Sequence, residues 1–274
     1  MFGWLKKLLI WLVVLYVAFC AAVYYFPQYF FYGPSAKPSN IDNARANGFN
    51  AEVVRYFAED GTEEMAWYVK PSSKKQVVVF FHGNSYNVEK FYHKLVPFVQ
   101  AGYGVLMPEY RGFGGVKGEI TQKNLEEDAL AAVRWLHNQG YKNADIVVYG
   151  MSLGSHMAIN SVYQFQKSGN FAASVLEVPF NSLEETVRAI VPIPFPLKLI
   201  VRDKYENRYM LSRIQTPVII TGGSDDSLVP VKLAEDLYTY ANEPRKIIVY
   251  QGGEHNTLYS FRNYADILNW LEKK

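Results

Sequence analysis

Residues 146–154 read Ile146-Val147-Val148-Tyr149-Gly150-Met151-Ser152-Leu153-Gly154, and apolar residues recur at helical spacing from Leu153 to Gln166. An apolar run that breaks at G-x-S-x-G and resumes as a helix describes one particular turn. The chain leaves a strand and enters a helix so sharply that the serine between them takes strained backbone angles. Its neighbours two before and two after must then be small. Glycine at 150 and 154 removes the clash and lifts the Ser152 hydroxyl clear of the strand end. The position predicts a nucleophile.

A serine hydroxyl is a weak nucleophile near neutral pH and needs an adjacent base, itself oriented by a third group. Two later stretches supply both. After the apolar run Val218–Thr221 comes Gly222-Gly223-Ser224-Asp225-Asp226-Ser227-Leu228-Val229-Pro230, and after Lys246–Tyr250 comes Gly252-Gly253-Glu254-His255-Asn256. Each follows a predicted strand end, on the edge that carries Ser152. The chain has five histidines. His93 and His137 fall in or at the end of amphipathic stretches and His156 lies four residues after Ser152 on the nucleophile helix, where packed or solvated roles are expected; His255, directly after a predicted strand end, is the expected general base, against a satisfied loop histidine. Spacing alone does not choose between Asp225 and Asp226.

Farther out, short apolar runs at Val77–Phe81, Gly104–Met107, Ile146–Tyr149, Ala173–Leu176, Val218–Thr221 and Lys246–Tyr250 alternate with helical patterns at 88–100, 124–138, 153–166, 233–240 and 261–272. A hairpin around Asp60-Gly61 precedes them. Strands alternating with helices predict an α/β fold, a mostly parallel central sheet flanked by helices with right-handed crossovers. Ligands bind at the carboxyl ends of the strands in such a sheet. No internal repeat or second linker divides residues 41–274, so a single catalytic domain is expected there.

The 274 residues are 49% hydrophobic and 20% charged, which predicts a packed core rather than a disordered chain. With 28 Lys plus Arg against 26 Asp plus Glu, and no basic run longer than two, the chain has no electrostatic footprint for nucleic acid. One cysteine, Cys20, allows neither an internal disulfide nor a cysteine-based metal site. No His/Asp/Glu cluster has ligand spacing, so no metal and no cofactor is expected.

From Leu8 to Phe26 every one of 19 residues is apolar, and no charge returns until Lys37. That run is long enough to span about 30 Å of bilayer hydrocarbon. Lys6 and Lys7 before it outweigh Lys37 and Arg45 after it slightly, favouring a cytoplasmic N-terminus with the domain on the far side. Ala18-Phe19-Cys20 and Cys20-Ala21-Ala22 are poor cleavage sites, so residues 1–33 are read as a retained signal anchor. Tyr24, Tyr25, Tyr29, Phe30, Phe31 and Tyr32 read as an interfacial aromatic belt, and 34–40 as a linker. The sequence contains no N-x-Ser/Thr acceptor, which fits a bacterial inner membrane with the domain facing the periplasm.

Taken in order, Phe80-Phe81-His82-Gly83-Asn84, Glu109-Tyr110-Arg111-Gly112-Phe113-Gly114, the Ser152 elbow, Asp226-Ser227-Leu228-Val229-Pro230 and Gly253-Glu254-His255-Asn256 resemble the α/β-hydrolase superfamily. They resemble more narrowly its membrane-anchored branch of bud-emergence-like and α/β-hydrolase-domain proteins, near the serine aminopeptidase group. The resemblance implies Asp226 as the third triad member, since Val229-Pro230 stands in the family's place after it, and leaves Asp225 as a turn residue. It implies an oxyanion hole from the backbone N–H groups of Leu153 and Asn84 and a cap over the site at 181–213, an interval that an ordinary surface loop packed by its own apolar residues would also fit; Arg111 is expected to tie two loops through a buried ion pair rather than to touch substrate. The apolar, proline-studded run 191–197 lies inside that interval. The chain departs from the family pattern at Glu109, often Asp, and at Gly115, often Ser.

The expected activity is hydrolysis of a carboxylic ester or thioester through an acyl-enzyme, on a small-molecule or lipid-like acyl substrate. An aminopeptidase would share the triad but need carboxylates for the substrate amine, with Glu177, Glu184 and Glu185 on offer. A silent membrane-tethered binding module would be expected to lose a triad residue or an elbow glycine, and neither is lost.

Overall fold

The computed structural model describes residues 2–191 and 193–273; Pro192, within the proline-studded run, lies outside the described residues. Eight strands form one sheet: β1 (Glu52–Phe57), β2 (Glu63–Val69), β3 (Val77–Phe81), β4 (Gly104–Pro108), β5 (Ile146–Met151), β6 (Ala173–Glu177), β7 (Val218–Gly223) and β8 (Arg245–Tyr250). Their spatial order is β8-β7-β6-β5-β3-β4-β2-β1. The β1–β2 and β2–β4 pairs are antiparallel and every other pair is parallel.

The inner strands β3, β4 and β5 read as unbroken apolar runs because both faces of the sheet are covered there. Alternate side chains go to opposite layers. Val77, Val79 and Phe81 of β3 join the cluster that holds α5 (Gln122–Asn138) and α6 (Leu153–Phe165), whereas Val78 and Phe80 join the cluster on the other face, with Ile267 and Leu271 of α11 (Asn263–Lys273). The register aligns Phe81 with Gly150 and Met151 with Glu177, so β3, β5 and β6 end nearly level and their following loops converge.

The stretch 88–100 departs from its helical pattern. It folds as two 3₁₀ turns, Val88–Lys90 and Tyr92–Lys94, followed by the five-residue α4 (Val96–Gln100). Pro97 has no N–H to continue a helix and occupies the first turn of α4 instead. The Val88 N–H is taken by the buried Glu109 carboxylate, 3.1 Å away, and Lys94 turns inward to Glu177 at 2.8 Å.

Helix α1 runs Phe2–Tyr25 and is long and apolar enough to cross a membrane, and most of its large apolar side chains, from Trp4 to Tyr25, are exposed. The residues after it do not hang free. Following the short α2 (Gln28–Phe31), Gly33 and Pro34 pair in parallel with Ser85 and Tyr86. Ser39 Oγ donates to Glu109 at 2.7 Å. The stretch 34–40, expected as a linker, is thus bound along the domain. α3 (Ile41–Ala46), capped by the Asn40 side chain, follows it.

Between β6 and β7 the chain makes an excursion with three short helices, α7 (Leu183–Ile190), α8 (Leu197–Ile200) and α9 (Arg208–Leu211). It packs against the last turns of α1, where Val23, Leu197, Ile200 and Val201 form a separate buried cluster. α10 (Val231–Tyr238) follows β7.

Candidate active site

Ser152 sits between β5 and α6 with φ 52° and ψ −119°, a left-handed conformation that a non-glycine residue holds only when its surroundings fix it. Those surroundings are explicit. Its N–H donates to Glu177 O at 2.9 Å, and its carbonyl accepts from Ser155 Oγ at 2.6 Å and Ser155 N at 2.8 Å. A Cβ on Gly150 would lie 2.1 Å from Gly154 O, and one on Gly154 would lie 1.9 Å from Phe81 O. Only glycine lets the elbow press against the end of β3.

Asp226 and His255 come from the loops after β7 and β8. His255 Nδ1 and Asp226 Oδ2 are 2.7 Å apart, and Asp226 Oδ1 accepts from the N–H groups of Leu228 (2.9 Å) and Val229 (2.8 Å). The carboxylate is therefore held at both oxygens and buried. Asp225, one residue earlier, is exposed and accepts from the Ser224 hydroxyl at 2.6 Å.

Ser152 and His255 share one pocket of about 300 Å³ with Asn84 and Leu153. Phe30, Phe31, Phe180, Leu183, Val187, Ile190, Leu228 and Val229 make its walls apolar, and among the described lining residues there is no carboxylate. Neither the Leu153 nor the Asn84 N–H is consumed by a hydrogen bond within the described chain. Ser152, Leu153 and Asn84 thus line one cavity together.

The comparisons with known proteins agree with this geometry at the level of family. The family described as serine aminopeptidase, S33, matches residues 72–209. A Mycobacterium tuberculosis protein, Rv2307c, is 31% identical over 82% of this chain and 79% of its own. The chain belongs to the serine aminopeptidase S33 family of α/β-hydrolases. This S33 serine hydrolase is also 25% identical to a Saccharomyces cerevisiae membrane protein, YNL320W, over 94% of this chain and 92% of the other. Its fold matches an esterase of Pyrococcus furiosus, Pf2001, with a TM-score of 0.72 at 18% identity, covering 89% of this chain and 97% of that one.

The hydrolase's other candidates fall where chemistry sends them. His82 is buried with its ring on Gly83 O (2.8 Å) and Glu109 (3.1 Å), shaping the Asn84 loop from beneath. The extra methylene of Glu109 over an aspartate lets one carboxylate meet His82, Ser39 and the Val88 N–H together. Arg111 ties loops by pairing with Asp128 (Nε to Oδ1, 2.7 Å) and Asp60 (2.7 Å). His156 packs in α6 against Asn207 and Glu126, both at 2.8 Å. Glu184 pairs with Arg188, and Glu185 with Arg208, away from the pocket.

Glu177 is fully buried beneath the elbow, bonded to Lys94 and Tyr149. Among the described residues no group of three His, Cys, Asp or Glu side chains could hold a metal ion.

The aromatic-belt reading needs correction at Phe30, Phe31 and Tyr32, which line the pocket. Tyr32 is buried, its hydroxyl 2.7 Å from Asp203 and 2.5 Å from that of Tyr205 across the cavity wall. Burial and the Asp203 charge push the Tyr32 phenol well above its usual range, so both hydroxyls stay protonated. The sequence offered a sign in the polar stretch after Tyr32, where a chain leaving a membrane meets its domain. Aromatics near a span are nevertheless ordinary interfacial residues, and their composition alone does not separate the two uses.

Proposed function

We propose that the chain is a membrane-anchored hydrolase of carboxylic esters or thioesters, working through an acyl-enzyme on Ser152. His255 Nε2 takes the Ser152 proton as Oγ attacks the carbonyl, and Asp226 at Nδ1 fixes the tautomer and stabilises the imidazolium. The tetrahedral oxyanion rests on the Leu153 and Asn84 N–H groups. Its collapse expels the alcohol or thiol, which receives the proton from His255. Water, deprotonated by His255, then cleaves the acyl-enzyme by the same path and restores Ser152.

The observation that carries this reading is the hydrogen-bonded Asp226–His255 pair beside Ser152, in a pocket whose described walls are apolar. An alkyl chain desolvates favourably there, each buried CH₂ contributing about 0.8 kcal/mol. A substrate ammonium would need a buried carboxylate partner, and the three glutamates that could have served are engaged elsewhere.

Residues 1–25 form the anchor in this reading. The catalytic unit begins near Phe26 rather than at 41, because 28–40 line or brace the site, and 181–213 is the cap. In this reading the N-terminus is cytoplasmic and the catalytic domain lies across the membrane, an orientation that the basic pair Lys6 and Lys7 before the span supports. The alternative, aminopeptidase activity on the same triad, has the family's name in its favour. A panel of butyrate and octanoate esters, acyl thioesters and aminoacyl anilides, run on the full chain in detergent, separates the two. Ester kcat/KM above that for the anilides supports the proposal, and the reverse ranking replaces it with the peptidase reading.

A further inference from the structure

Excursion and anchor touch along a definite length of helix. Pro194 O accepts from Tyr16 Oη at 3.1 Å, and the Phe195 ring stacks on Tyr16 (5.4 Å, 10°) and packs on Phe19 (5.2 Å). Higher up, Leu197, Ile200 and Val201 bury Val23. Tyr16 lies nine residues before the end of α1, roughly 14 Å along its axis. It also stands near the centre of the apolar run Leu8–Phe26. If that run fills the roughly 30 Å of bilayer hydrocarbon, the 193–195 tip descends into hydrocarbon beside it.

The outward surface fits that depth. Ile193 and Leu199 are 51% and 74% exposed, and Ile190 at the pocket rim is 42% exposed. The cations lie higher: the Arg202 guanidinium sits over the Tyr24 ring at 5.4 Å, level with the end of the span, and Lys198 is exposed with a stem able to extend toward the same level. Apolar tip below and basic collar above match acyl chains below anionic headgroups. Phe31, Leu183 and Val187 belong both to the pocket wall and to the layer packed on the anchor cluster.

We propose that residues 193–202 of the excursion are a second membrane-seated element, and that the pocket takes acyl esters resident in the bilayer, which enter laterally past Phe30 and Ile190. The substrate half of this proposal rests on the ester-hydrolase reading, whereas the seating does not.

The test uses the full chain in liposomes containing anionic lipid. With Cys20→Ser as background, Leu199→Cys or Ile193→Cys carries an environment-sensitive fluorophore, and Lys142→Cys serves as the control. Seating predicts blue-shifted emission at 193 and 199, quenched by nitroxide placed on lipid acyl chains, with neither effect at 142. Water-like emission overturns seating. Blue shift without lipid quenching also overturns it and assigns the surface to a second copy of the chain.

The double variant Ile193→Asp/Leu199→Asp should lose at least tenfold in turnover of a long-chain ester held in the bilayer while hydrolysing a water-soluble butyrate ester as wild type does. Equal loss on both, or loss on neither, overturns lateral entry. Absence of butyrate turnover in wild type defeats instead the ester-hydrolase reading beneath it, and leaves the fluorescence result standing.

Discussion

Asp225 and Asp226 are chemically identical and adjacent, and their surroundings divide the work. Two backbone N–H groups and His255 hold Asp226, while Asp225 faces water beside Ser224. Asp226→Asn should therefore lower kcat by about 10⁴-fold, the order of loss when the carboxylate behind a catalytic histidine is neutralised. Asp225→Asn should lower it by less than about tenfold. Single-turnover rates on a butyrate ester check both, and equal losses would reassign the carboxylate. Ser152→Ala should abolish labelling by a fluorophosphonate probe that marks the wild type.

Glu64 makes a different prediction at this scale. Burial, then the neighbouring Asp128 charge, pushes its carboxyl up to about 9, with the Arg111 guanidinium opposing at 3.8 Å. A folded value above the unfolded one means stability is full below about pH 4.5 and falls as pH rises toward 9, because only the unfolded chain releases the proton. Glu64→Gln keeps the neutral shape and removes that dependence. Its Tm relative to wild type should rise between pH 5 and pH 8, by up to about 1.4 kcal/mol of stability per pH unit. A Tm difference that stays flat with pH would show that Glu64 is ionised in the folded state.

Among the elements, the elbow is the least tolerant. Gly154→Ala would place a methyl 1.9 Å from the Phe81 carbonyl, a backbone atom of a central strand with little room to move. A loss of about 1–3 kcal/mol or more is expected, together with loss of probe labelling; wild-type melting would show that β3 can yield. The strands were legible in sequence because each inner one is buried on both sides and reads as a continuous apolar run. The 88–100 stretch was not, since its apolar spacing is helical while Pro97, and the pull of Glu109 and Glu177 on Val88 and Lys94, break it into turns.

The G-x-S-x-G turn announced itself through local sterics. The wall made by Phe30, Phe31 and Tyr32 did not, because contacts such as Tyr32 with Asp203, 171 residues away, leave no mark on local composition. A chain beginning at residue 41 should accordingly lose most ester kcat/KM, and one beginning at Phe26 should retain it, as measured on the butyrate ester. Equal activity of the two would remove 26–40 from the site.

For the molecule as a whole, the helix proposed as the anchor and the catalytic unit share parts. Reporter fusions placed after residue 45 should be active only across the membrane from the N-terminus, and cytoplasmic activity would invert the topology. The short ladder of Gly33 and Pro34 with Ser85 and Tyr86 then has a mechanical meaning. Asn84 stands at its edge, its carbonyl accepting from Gly33 N at 2.9 Å and its amide donating to Phe31 O at 2.7 Å. The proposed oxyanion donor is thus tethered through two bonds to the chain leaving α1. A helix that tilts to match a thinner bilayer would load that tether directly, so the acylation rate should vary with the chain length of the host lipid. Asn84→Ala, which keeps the backbone donor and cuts the side-chain bond, should flatten the variation, making the site a gauge of the thickness of the membrane that holds it.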